Sequence, residues 1–341
     1  MKSNTSNIYY DYHDILSFGS LLNFIITNRG GGKTYGFKDW AIRDFLKNKK
    51  QFIYLRRYKT EFESDQGNTI KNFFDDIIEK YPEHTFAIKK GKFYIDDEIA
   101  GYYIALSTSL ALKSVSFPDV NKICYDEFLI PKHSHLRYLK NEPKMFLDLC
   151  ETVFRSRDNW RAIFLGNSIS TVSPYFTYFN IKVDTNKRFT RRGDITIELY
   201  TNDEFIEHKK ETRFGRLING TEYGDYSMLN KFDEDKSTFI EEKTKNSKYM
   251  LTFVYNNFKI GVWADYTNGR IYFTNKVNDT FPLKFSLLEF DHTPNTFLLH
   301  RANQNVYVKM IKEAYQKGYV RFQNQEIKHT GIDILNTLNV V

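Results

Sequence analysis

With 341 residues, 41% of them apolar and 17% aromatic, the chain is longer than one hydrophobic core usually covers and is not of disordered composition, so two folded domains are expected. It has no run of eighteen apolar residues, and its first residues, MKSNTSNIYYDYHD, lack the apolar segment of a signal peptide; no membrane contact is expected, and a soluble intracellular protein is. The formal charge of +7 suits a polyanionic partner such as nucleic acid.

Between residues 21 and 180, short β-rich runs alternate with helical patterns. The expected strands are LLNFIIT (21–27), QFIYLRRY (51–58), NKICYDEF (121–128) and RAIFLGN (161–167). The expected helices are KTYGFKDWAIRDFLKN, NTIKNFFDDIIEKY and EPKMFLDLCETVFRS. Such alternation predicts a mainly parallel, helix-covered sheet, an α/β domain over 1–205. Residues 84–106 interrupt it with turn signals at Lys90-Gly91 and Asp96-Asp97, and read as an antiparallel insertion with a basic turn of Lys89, Lys90 and Lys92. Cys124 and Cys150 are too few for a disulfide framework or a zinc cage and read as small buried hydrophobes. His133 and His135, in PKHSHLRY, read as solvated loop residues. The segment KKETRFGRLINGTEYGDYSMLN, with Gly215, Gly220 and Gly224 and no sustained period, reads as a linker over 206–234. Beyond it KYMLTFVYN, FKIGVWADY and GRIYFTN read as strands joined by short turns such as Asn268-Gly269. The helical patterns NVYVKMIKEAYQKGY and IDILNTLNVV follow, predicting an α+β domain over 235–341.

The chemistry concentrates in TNRGGGKTYG, residues 27–36, which follows a strand pattern and opens a helix pattern. Glycines let a backbone wrap close to phosphate, and a helix start presents free N–H groups and the positive end of its dipole. Asn28, Arg29, Gly30, Gly31, Gly32, Lys33, Thr34 and Tyr35 are therefore the expected nucleotide loop. Lys33 is expected to reach the β and γ phosphates of ATP, and the Thr34 hydroxyl to ligate Mg2+. Thr27 stands where the usual first glycine would be. The second half of such a site is an acidic strand end about ninety residues on, in NKICYDEF. Asp126 is expected to hold the metal and Glu127 to polarise the attacking water. Asn167 ends the next strand and, in a parallel sheet, shares the edge with Asp126. Arg155 and Arg157, in TVFRSRDNWR, read either as arginines that neutralise transition-state charge on a neighbouring subunit's nucleotide or as a surface helix end favoured by its dipole.

Together LLNFIITNRGGGKTYG, QFIYLRRYK, NKICYDEF, TVFRSRDNWR, LGNSIS and TRFGRLINGTEYG resemble the DNA packaging ATPases, or encapsidation proteins, of phi-29-like small tailed phages, in colinear order over nearly the whole chain. The resemblance implies a P-loop ATPase domain of the additional-strand (ASCE) class, a small linker module, and a C-terminal RNase H-like domain that is a vestigial nuclease. It also implies a homo-oligomeric ring, pentameric in the family, that docks on the portal of a prohead in the host cytoplasm and drives double-stranded DNA inward. A structural packaging RNA is a further candidate partner. By position in the motifs, Lys33 and Thr34 take the Walker A roles, Asp126 the Walker B role, Glu127 that of catalytic glutamate, Asn167 a sensor role, and Arg155 that of a trans-acting finger, with Arg157 as its rival. Arg56 and Arg57, in YLRRY, become candidates for a switching or intersubunit role, and Lys113 a further trans candidate.

The C-terminal segment can be read independently of the resemblance. Two-metal nucleases cluster carboxylates, one of them on the first strand. KYMLTFVYN holds no acid, and Asp265 and Asp291 stand alone in sequence and read as solvated loop residues, so no nuclease activity is expected. The rival readings are a stand-alone nucleotide kinase, a terminase-type nuclease with an ATPase domain, and a portal scaffold that only binds nucleotide.

Overall fold

A computed structural model describes residues 10–338 apart from 65–66, 131–135, 168–172, 182, 222–223, 225–238 and 256; His133 and His135 lie outside the described residues. The chain divides into two compact units, Met1–Glu234 and Asp235–Val341.

In the first unit α1 (His13–Ser17) leads into β1 (Leu22–Thr27), buried along its whole length. β1 sends Leu22, Phe24 and Ile26 into one apolar layer and Ile25 into the other, the mark of a strand covered on both faces. α2 (Lys33–Asn48) covers one face with Phe37, Ala41, Ile42 and Phe45 and stops at Lys49, whose φ of 54° is left-handed. β2 (Gln51–Arg56) follows, then a two-residue ribbon of β3 (Glu63–Ser64) and β4 (Gly67–Asn68). The helix expected over NTIKNFFDDIIEKY is instead two 3₁₀ turns, Thr69–Asn72 and Ile78–Lys80. Asn, Asp, Phe and Ile are indifferent helix formers, and burial of Ile70, Phe73, Phe74 and Ile77 fixes the path instead.

The expected antiparallel segment is a meander of β5 (Phe86–Lys89), β6 (Lys92–Ile95) and β7 (Glu98–Ala105), with left-handed Lys90, Gly91, Asp96 and Asp97 at its turns. Its last strand pairs in parallel with β2, so it extends the main sheet. β8 (Val120–Asp126), α3 (Glu142–Phe154), β9 (Arg161–Asn167) and α4 (Pro174–Tyr178) come next, with α3 on the face opposite α2. β10 (Phe189–Arg192) and β11 (Ile195–Tyr200) were not among the expected strands, although the alternation in ITIELY after Gly193 marks the second of them. The segment after residue 202 is not irregular where described: α5 (Asp203–Glu211) and α6 (Arg213–Ile218) are capped by the Asn202 and Thr212 side chains.

The nine strands run in the order β10-β11-β1-β9-β8-β2-β7-β6-β5, and the six from β11 to β7 are parallel. β9 lies between β1 and β8, the extra strand that defines the additional-strand class. Parallel pairing brings the carboxyl ends of β1, β9, β8 and β2 to one edge of the sheet.

The second unit has its own core. β12 (Lys248–Tyr255), β13 (Phe258–Asp265) and β14 (Arg270–Thr274) form an antiparallel meander. β15 (Lys284–Ser286) and β16 (Phe297–Leu298) add in parallel beside β12, and β17 (Val320–Phe322) pairs with β14. The first five strands have RNase H-like order, and α7 (Leu299–Gln304), α8 (Val306–Gln316) and α9 (Gln325–Thr337) contribute Ala302, Val308, Ile311, Ile334 and Leu335 to the core.

Candidate active site

The loop between β1 and α2 depends on glycine at two points, Gly30 and Gly32, whose φ angles of 89° and 79° are left-handed. Thr27 is buried without positive φ and its hydroxyl donates to the Asn28 carbonyl at 2.8 Å, so this chain needs no glycine there. Gly32 precedes α2 with no side chain capping the helix, which leaves first-turn N–H groups for an anion. The loop is braced from outside. Tyr10 N donates to Gly31 O at 2.9 Å, the Tyr12 hydroxyl to Lys33 O at 2.7 Å, and Lys209 Nζ of α5 to Arg29 O at 3.1 Å. A Cβ at Gly36 would lie 2.9 Å from Tyr10 O, so Gly36 lets the Tyr10–Tyr12 segment lie against α2.

Lys33 is 8% exposed, and its Nζ donates to Asn167 Oδ1 at 2.7 Å. Burial lowers its pKa to about 8, although the Asp126 and Glu127 carboxylates pull it back up. The Thr34 hydroxyl lies 3.4 Å from Asp126 Oδ2, which also accepts the buried Tyr54 hydroxyl at 2.6 Å, while Asp126 Oδ1 accepts Glu127 N at 3.0 Å. β8 ends at Asp126, and Glu127 turns out of the strand with a left-handed φ of 55° and a half-exposed carboxylate. Arg56 joins Glu127 at 2.8 Å and Glu61 at 3.0 Å, and lies 3.7 Å from Asp126. A glycine loop at a helix start, a lysine, a hydroxyl, two adjacent acids and an asparagine thus meet at one sheet edge, the equipment for binding and hydrolysing a nucleoside triphosphate.

A family model described as the Podovirus DNA encapsidation protein (Gp16) matches residues 4–340. The chain belongs to the podovirus DNA encapsidation protein family. It is 37% identical to the DNA packaging protein of Bacillus phage phi29 over 334 residues, covering 98% of this chain and 99% of that one. To the DNA packaging protein of Bacillus phage B103 it is 37% identical over 326 residues, 96% of this chain and all of the other. Among solved structures it is similar to a chain of the bacteriophage Phi-29 viral genome packaging motor assembly, with a TM-score of 0.77 at 37% identity over 97% of this chain and 99% of that one. The N-terminal domain of the DNA packaging ATPase from bacteriophage phi29 matches 58% of this chain and 98% of its own length, with a TM-score of 0.53 at 39% identity. Membership makes the chain a viral DNA packaging ATPase.

In this encapsidation protein the two arginines of YLRRY have different surroundings. Arg56 sits among the site's own acids. Arg57 is 1% exposed, paired with Glu142 at 2.7 Å, and donates to the carbonyls of Glu127 at 3.3 Å and Phe128 at 2.7 Å. A side chain sealed that far inside cannot reach a neighbouring subunit, so the trans reading of Arg57 fails and an internal, turn-holding role remains. Glu142 also accepts the Tyr125 and Tyr175 hydroxyls and the Leu139 N–H, so the buried pair is fully hydrogen-bonded.

α3 runs from the carboxyl end of β8 to the amino end of β9, so Arg155 and Arg157 sit at the sheet edge opposite Lys33 and Asp126, at the far end of a helix about 20 Å long. Arg155 ends the helix with φ 53° and ψ −122°, is exposed, and has no side-chain hydrogen bond or ion pair among the described residues. Arg157 is instead bonded to five main-chain carbonyls. Lys113 is exposed where the 3₁₀ helix Leu106–Leu112 ends, also without a side-chain partner among the described residues.

Asp265 and Asp291 are not solvated loop residues as expected: both are buried, because their carboxylates are committed to holding turns. Asp265 accepts from Thr244, Thr267 N and both nitrogens of Asn268, and Asp291 accepts from Asn257 N. Sequence reasoning missed Tyr54, Glu61 and Glu142. Tyr54 had a signal: it stands two residues before Arg56 on a strand beside β8, and period two puts both on the Asp126 side.

Proposed function

We propose that this encapsidation protein is the ATP-hydrolysing subunit of a homo-oligomeric ring, pentameric as in the family it resembles, that drives double-stranded viral DNA into a prohead. One observation carries the proposal: Lys33, Thr34, Asp126, Glu127 and Asn167 converge at one sheet edge while Arg155, exposed and without a side-chain partner among the described residues, stands at the other. Residues Asn28 to Tyr35 wrap the phosphates, and Lys33 offsets charge on the γ-phosphate. Glu127 aligns water for in-line attack, and Asn167, bonded to Lys33, senses the γ-phosphate. Thr34 and Asp126 offer the hard oxygen donors that Mg2+ prefers and would hold it. When bound, the ion neutralises charge on the β and γ phosphates.

Arg56 holds Glu127 in the nucleotide-free state and releases it when a phosphate competes for the guanidinium. Arg155 of one subunit completes the next subunit's site with Lys113 beside it, because its own site lies at the opposite edge. Phosphate contacts give a grip that ignores sequence. The basic Lys89–Lys92 turn, at the same edge as the site and about 14 Å along the sheet from β8, is the candidate DNA contact. The ATPase domain spans 1–205, the linker 206–234 and the docking domain 235–341. The ring works in the host cytoplasm at the portal vertex, with a structural packaging RNA as a further partner. The second domain cuts no DNA, since β12 has no acid and Asp265 and Asp291 serve turns.

Steady-state ATP hydrolysis with and without double-stranded DNA tests this against Glu127→Gln. The expected result is DNA-stimulated turnover that the variant loses while still binding nucleotide. Turnover indifferent to both DNA and Glu127 would sink the assignment.

A further inference from the structure

Arg157 belongs to the same FRSR phrase as Arg155, and its guanidinium is occupied by main-chain oxygens. Nε donates to Phe154 O at 3.2 Å and Nη2 to Val153 O, two last-turn carbonyls of α3. Nη1 donates to Pro118 O at 2.6 Å and Val120 O at 2.8 Å, and Nη2 to Phe117 O at 2.8 Å. The fork therefore stitches the end of α3 to the chain entering β8, the segment that follows Lys113. Inside the stitched turn Arg155 keeps the left-handed φ of 53°, which a residue with a Cβ holds only where its surroundings over-determine it. The Phe154 and Trp160 rings close the other side of the turn, stacked at 4.3 Å and 7°. One arginine is strained, exposed and without a side-chain partner among the described residues; its neighbour two residues on is committed to holding that turn.

We propose that Arg157 is a positioning residue for trans catalysis: its fork fixes the strained turn that presents Arg155 and anchors the Lys113 segment to it, so that both cations face the next subunit from one rigid surface. The proposal rests on Arg155 acting in trans, and complementation separates the two ideas. Motors are assembled on proheads with double-stranded DNA from Arg157→Ala, Arg157→Lys or Arg155→Ala subunits, alone and mixed with Glu127→Gln subunits, which cannot hydrolyse but carry an intact edge.

Arg157→Ala alone is expected to lower turnover at least tenfold with nucleotide affinity within twofold of wild type. Admixed Glu127→Gln subunits restore hydrolysis at the variant's own sites, a rescue that damage confined to its own domain would not allow. Arg157→Lys keeps the charge without the fork and behaves like Arg157→Ala. Rescue of Arg155→Ala but not of Arg157→Ala overturns the proposal alone, and failure to rescue either overturns the trans reading with it. A wild-type rate in Arg157→Lys overturns the fork, and a lost nucleotide affinity in both Arg157 variants assigns the residue to general stability instead.

Discussion

The two edges of the nine-stranded sheet treat their cations in opposite ways. At the carboxyl edge Lys33 already holds Asn167, and Arg56 meets Glu61, Glu127 and Asp126 within 3.7 Å. At the amino edge Arg155 has no hydrogen bond or ion pair among the described residues, and Arg157 is hydrogen-bonded to neutral main-chain carbonyls. Burial accounts for the contrast. A charge in a closed site is costly until paired, so a site awaiting a polyanion is assembled with temporary partners in place. An exposed cation waits in water at little cost, and under the proposed trans role it would acquire its value when a neighbour's nucleotide removes that water.

Removing the solitary cation is expected to have the largest effect. If Arg155 is the proposed trans finger, Arg155→Ala lowers turnover of the assembled motor by about 10³- to 10⁵-fold, the usual weight of an arginine finger, while nucleotide affinity and melting temperature stay at wild-type values because the side chain is exposed and has no hydrogen bond or ion pair among the described residues. The check compares assembled motors with dispersed subunits. An equal loss in both would mean that Arg155 serves its own chain, and the contrast between the edges would collapse.

The paired edge predicts a milder, pH-dependent signature. Burial lowers the Lys33 pKa to about 8 in the free protein, and bound phosphate must raise it, since an anion favours the ammonium form. Binding therefore takes up a proton above pH 8. Nucleotide affinity should be level below about pH 7 and weaken as pH rises through 8, by up to about tenfold per pH unit. A nucleotide analogue titrated from pH 6.5 to 9.5 reads this directly. Lys33→Arg, which stays charged, should remove the slope whatever it does to affinity; a slope that persists would place the titrating group elsewhere.

What the sequence revealed and what it hid divide along the same physical line. The strand-to-helix entry at TNRGGGKT, the acids ending NKICYDEF and the convergence on Asn167 were legible because period, turn chemistry and parallel pairing are local properties that fix an edge. The 3₁₀ path over residues 69–80 was not, because its apolar spacing mimics a helix while tertiary burial decides the backbone. Nor could the sequence separate Arg155 from Arg157, or Arg56 from Arg57. Each pair shares a residue type and a motif, and what tells its members apart is the set of carbonyls and carboxylates that long-range folding brings to 2.7–2.8 Å. Glu142 was hidden for the same reason, whereas the two-residue period of β2 marks Tyr54 in the sequence.

Tyr54 gives the smallest effect and the finest test of the paired edge. Its hydroxyl donates to Asp126 Oδ2 at 2.6 Å, but that oxygen also has Thr34 at 3.4 Å and Arg56 at 3.7 Å, and the other carboxylate oxygen has Glu127 N. Tyr54→Phe removes one donor and strands no acceptor, so the loss is that of a single hydrogen bond, about 0.5–1.5 kcal/mol of stability. Asp126 should then sit less firmly, and the magnesium concentration that half-saturates nucleotide binding should rise a few-fold while turnover at saturating metal stays within about twofold, the pattern of a supporting hydrogen bond. The measurement is nucleotide binding at graded magnesium, with thermal unfolding alongside. A thousandfold fall in turnover would mean that the redundancy around Asp126 is only apparent and that the carboxyl edge depends on a single hydroxyl as fully as the amino edge is proposed to depend on a single guanidinium.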